Sequence, residues 1–151
     1  MDWYPWLKTL HVFFAIVAVG LNVSYAIWQR RAAREPQHTG FALRGIKFLD
    51  DRIANPAYGG LLVVGVLLVL LGPWAFEQFW VYASIALYLV MGAVAFLFYS
   101  PTLTKLIATY EASGPGTPEF AALSSRSRMV GIVLAVLVVS IIVMMVVKPG
   151  A

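Results

Sequence analysis

The stretch Trp6–Gln29, WLKTLHVFFAIVAVGLNVSYAIWQ, decides how the chain is to be read. At helical spacing one face collects His11, Ala15, Ala18, Asn22, Tyr25 and Gln29. That face holds every polar group of the span's interior except Ser24. The other faces carry Phe13, Ile16, Val17, Val19, Leu21, Val23 and Ile27, which suit hydrocarbon. An unpaired polar group in lipid costs several kcal/mol, so the polar and small stripe must turn toward protein or a bound group. The segment therefore predicts a membrane-spanning helix with an inward polar face.

Three more apolar runs come after it, so the spans are expected at about 6–28, 56–72, 79–103 and 129–147. Each approaches the ~20 residues that cross a hydrocarbon core. The 151 residues thus form one domain, 1–151: an all-α, polytopic membrane four-helix bundle. A hydrophobic fraction of 61% and a mean hydropathy of +0.82 place the chain outside the soluble class. The first run is too long for a signal peptide, and Trp28-Gln29-Arg30-Arg31 reads as a stop-transfer flank. With no cysteine, thiolate metal sites and iron–sulfur clusters are excluded.

Charge sets the expected orientation. Basic loops at 30–55 and 104–128 hold nine of the eleven Lys and Arg residues, against Lys8 and Lys148 on the other side. The positive-inside rule then puts those loops in the cytoplasm and both termini on the non-cytoplasmic side. Trp3, Trp6, Trp74 and Trp80 would form an aromatic belt at the outer interface, with Trp28 at the inner one. The net charge of +4 is accounted for by these loops and calls for no nucleic acid.

Local signals refine the picture. Asn55 and Pro56 predict a helix start, Gly72-Pro73 a stop, and the short turn Pro73–Gln78 an antiparallel hairpin. Gly40–Ala54 predicts an interfacial helix with Ile46, Leu49 and Ile53 on its apolar face. Thr117-Pro118-Glu119, after a Gly/Pro break, predicts the start of a fourth helix that runs on into the membrane.

His11 is the leading candidate for chemistry. An ionisable group inside a span is a functional-site hypothesis by default, and neutral imidazole ligates haem iron and other transition metals. The alternatives are a histidine hydrogen-bonded between helices and one that handles protons. Ser84, Tyr88, Met144 and Met145 are the groups expected to reach its level. Tyr88 and Met144 are the favoured cofactor-binding partners, since His–Met ligation of haem is available chemistry. Glu77 falls in an outer turn and Asp50-Asp51 in the inner loop, so no carboxylate lies in an apolar span. That composition speaks against a proton or cation pathway, and no nucleophile–base–acid set points to a hydrolase.

The opening Trp6-Leu7-Lys8-Thr9-Leu10-His11, followed by an apolar run with Gly20 and closed by Arg30-Arg31, resembles a bacterial family of four-span membrane proteins, domain of unknown function 2269. That family is more distantly similar to copper-resistance D-type membrane domains and to the haem-carrying membrane protoporphyrinogen oxidase, which share a Lys-x-x-His opening. In the oxidase the early histidine binds haem, and by motif position it corresponds to His11. The resemblance implies a small bacterial inner-membrane protein, accessory or haem-binding. A haem-dependent oxidoreductase and a cofactor-free structural subunit are the alternatives. Expected partners are the lipid bilayer and either other membrane subunits or further copies of the chain; Gly65 and Gly131 offer small-residue faces for such contacts.

Overall fold

The computed structural model describes residues 3–150, so the outermost residues of the 1–151 domain lie outside the description. The described chain is all-helical and contains four helical rods long and apolar enough to cross a membrane. The first is α1 (Trp3–Arg34). The second combines a short 3-10 turn (Pro36–His38), α2 (Thr39–Leu49), a π turn (Asp50–Ala54) and α3 (Asn55–Leu70). The third combines α4 (Phe79–Val94), a second π turn (Ala95–Tyr99) and α5 (Ser100–Ser113). The fourth is α6 (Pro118–Val147), whose Thr117 cap accepts the Phe120 N–H at 3.2 Å.

Each rod has 30 to 35 residues, about 45–52 Å of helix against ~30 Å of hydrocarbon. The excess lies at the end that carries the arginines, called here the basic end. The opposite, terminal end holds Tyr4, the α3–α4 turn and Lys148, whose ammonium stands 3.8 Å from the centre of the Trp74 ring.

Asn55 is the first residue of α3 but does not cap it. The second rod runs through it, and the Asn55 N–H reaches back to the Asp50 carbonyl in a π-type bond. Pro56 explains the wide turn: it brings no N–H, and its ring would strike the carbonyl four residues back. The third rod repeats the device, with Ser100 N–H to the Ala95 carbonyl just before Pro101. Each π turn adds a residue to the helical period and so rotates the helix beyond it. Ile53, expected on the apolar face of an interfacial helix, is 40% exposed, while Ala54 is fully buried.

The rods run up and down, but they pair unevenly. α1 packs along α3, and α4 along α6. In the first pair, α3 glycines receive α1 side chains: Phe14 lies over Gly60 and His11 over Gly65. Across the expected hairpin, α3 and α4 run antiparallel without close backbone approach. Aromatic rings space them, Tyr58 against Tyr88 at 6.4 Å and Trp74 against Trp80 at 5.1 Å.

The two pairs meet most tightly at the basic end. There Tyr25, Leu43, Ile46, Tyr99, Leu103 and Leu106 form one buried cluster, flanked by Tyr110 and Phe120. Burial of these large apolar side chains packs that end; between helices in lipid the hydrophobic effect gives no such drive. Accordingly Phe13, Ile16, Val136 and Val143 stay exposed along the spans.

Candidate functional site

α1 presents the predicted stripe inward. Ala18 and Tyr25 are buried, and His11, Ala15, Asn22 and Gln29 are half-buried. The His11 ring sits against Gly65 so closely that a Cβ there would lie 2.9 Å from Cε1. The Leu61 backbone is within hydrogen-bonding reach of the ring. Its Nδ1, however, is buried without a partner. Gly65 is therefore an internal contact and not an outward face for other subunits.

Two further orphaned polar atoms lie on α4 at the same end. Trp80 Nε1 and Ser84 Oγ are buried with no hydrogen-bond partner. They are four residues apart, hence on one helix face. Trp80, expected in the outer aromatic belt, is buried in the protein beside Trp74, whose Nε1 donates to the Tyr4 hydroxyl at 2.8 Å. Counting from the Tyr4–Trp74–Trp80 layer, His11 lies about 10 Å and Ser84 about 6 Å deeper. By that count the three orphaned atoms are spread over about 10 Å along the bundle.

The other predicted partners are engaged as follows. Tyr88 donates its hydroxyl to the Tyr58 carbonyl at 2.6 Å. The Asn22 amide donates to the Tyr58 hydroxyl, also at 2.6 Å, and to the Ala18 carbonyl at 3.1 Å. Tyr88 therefore belongs to an Asn22–Tyr58 layer deeper than His11. Met144 is half-buried on α6, where its carbonyl accepts the Lys148 N–H at 3.0 Å. Met145 is half-buried beside it, and Ser140 bonds back to Val136 of its own helix at 2.9 Å. No group of three or more metal-ligating His, Cys, Asp or Glu side chains occurs among the described residues. His38 is exposed near Glu35, 4.0 Å away.

The sequence reading missed one polar group. Asp50, assigned there to a solvated loop, is 6% exposed in the first π turn. It stands close enough to Tyr25, Tyr58 and Tyr99 for its charge to act on each of them. The signal was present: continuing the buried face Thr39, Leu43, Ile46 at helical spacing lands on Asp50.

The chain belongs to the family of predicted integral membrane proteins DUF2269, whose model matches residues 5–149. No curated protein and no solved structure matches it. It is an integral membrane protein with four membrane-length helices, in contact with the lipid bilayer.

Proposed function

We propose that the chain is a small accessory membrane protein that binds a cofactor at the polar site around His11, and that the cofactor is haem. One observation carries this reading. The His11 ring is turned into the bundle and keeps a buried, unpartnered Nδ1, and two more such atoms, Trp80 Nε1 and Ser84 Oγ, lie on α4 toward the same end. Orphaned buried polar atoms are uncommon, and the one on His11 is what a bound ligand would satisfy.

The donor set fits a haem iron with one imidazole ligand. His11 would hold the metal, and Met144 supplies the available thioether on α6. Tyr88 would act from the deeper layer, where its hydroxyl is already committed to the Tyr58 carbonyl. Bound haem would bring its own redox or sensing chemistry; the residues here bind and orient it and keep water away. Lipid-facing apolar side chains around the spans do the last of these. The basic loops further support insertion in a bacterial inner membrane with the termini on the non-cytoplasmic side. Association with other membrane subunits or a second copy is compatible with the exposed face of α6.

The close seat of His11 on Gly65 favours a second reading, in which the ring only fills a notch between α1 and α3 and the protein is a structural subunit. Absorbance separates the two. Protein purified from haem-sufficient cells should show a Soret band that His11→Ala abolishes or shifts. Colourless protein leaves the structural reading, and a band indifferent to His11→Ala moves the ligand elsewhere.

A further inference from the structure

Asp50 is buried and takes no part in the His11 site. Lys47 is the basic group whose charge bears on it, and Lys47 is drawn to Asp51, with Nζ 2.6 Å from Oδ1. Asp51 itself adds like charge, and the Asn55 side chain lies within hydrogen-bonding reach. The remaining titratable neighbours are phenols: Tyr25 from α1, Tyr58 from α3 and Tyr99 from the second π turn. Tyr25 is 2% exposed, and its hydroxyl has no partner.

A carboxylate buried without its own cation is costly as an ion, and taking up a proton removes the cost. We propose that Asp50 is a proton-binding site, loaded from the basic end, with the Tyr25 hydroxyl as its first hydrogen-bonding relay into the bundle. The step is a plain transfer: a hydronium ion at the basic end gives a proton to a carboxylate oxygen, Asp50 becomes neutral, water is released, and no electron moves. Further into the bundle the Asn22 amide donates to the Tyr58 hydroxyl, and Tyr88 donates to the Tyr58 backbone carbonyl. Asp50 lies outside the apolar segment of α3, at the border of water and protein. Burial, with the Asp51 charge adding to it, pushes its carboxyl up to about 6. The group therefore exchanges its proton at near-neutral pH.

Infrared difference spectra of the full chain in lipid, taken from about pH 4 to 9, test this. A carboxylic-acid carbonyl band should grow on acidification with a midpoint near 6. It should shift in D2O, vanish in Asp50→Asn, and persist in Asp51→Asn and His11→Ala. Persistence in His11→Ala keeps this result separate from the fate of the haem reading. Tyr25→Phe should raise the midpoint by about one pH unit, because the relay has this hydroxyl, unpartnered in the structure, turn to the carboxylate when Asp50 ionises. Should Asp50→Asn fail to fold, Asp50→Glu must keep a titrating band at a changed frequency. The proposal is overturned by the absence of a titrating acid band, by a band that survives Asp50→Asn, or by a midpoint that moves with sodium concentration, which would assign the carboxylate to an alkali cation. An unmoved midpoint in Tyr25→Phe removes the relay.

Discussion

His11 occupies the space that a side chain at residue 65 would need: Cε1 stands 2.9 Å from the position of a Cβ on Gly65. Gly65→Ala should therefore displace the imidazole. The overpacking costs about 1–3 kcal/mol, offset in part by the ~1 kcal/mol alanine gains over glycine in a helix. Gly59→Ala is the control, since a methyl there meets nothing within 4 Å. Histidine NMR shifts and thermal unfolding in detergent should change for the first variant only; equal behaviour of the two would remove the notch from the description.

The Asn22–Tyr58 hydrogen bond joins α1 to α3 inside the membrane. Asn22→Leu should lower stability by about 1 kcal/mol, the usual scale for such bonds in lipid. Ser140→Ala should cost far less, because that hydroxyl bonds only within α6. Reversible unfolding in mixed micelles gives both values, and a Ser140→Ala cost matching that of Asn22→Leu would contradict the assignment.

Leu103 is fully buried in the basic-end cluster, whereas Leu97, in the π turn just before it, is 68% exposed. Leu103→Ala should cost about 2–5 kcal/mol. Leu97→Ala, which faces lipid, should cost well under half of that. Denaturation of the two variants side by side decides the point.

The chain has no cysteine, so single introduced thiols report topology directly. With the termini outward, Glu77→Cys should react with an impermeant maleimide applied to intact cells. Gln37→Cys should react only after permeabilisation. The reverse pattern would invert the orientation.

The inward face of α1 was legible because a polar group in lipid has nowhere else to turn, and the start of α6 because Thr117 and Pro118 act through local backbone chemistry. What escaped depended on distant partners. Trp80 is an ordinary interfacial tryptophan by sequence, and only its contact with Trp74 turns it inward. The π turn ahead of Pro56 buries Ala54 and leaves Ile53 exposed, a local widening of the helix that the sequence pattern did not announce. Asp50 was misread because charge was taken to outweigh periodicity. Tyr88 lies on the predicted face of α4, but its depth was set by the uneven pairing of the rods, which no local pattern encodes.

The two helix pairs are clamped at the basic end and only laced by side chains farther along. Mechanically they are a pair of long levers sharing one fulcrum. A relative tilt of about 5° at the clamp becomes a displacement of about 4 Å at the far tips of ~45 Å rods. Small repacking around Leu103 and Leu106 is thereby amplified at the Trp74–Trp80–Lys148 roof.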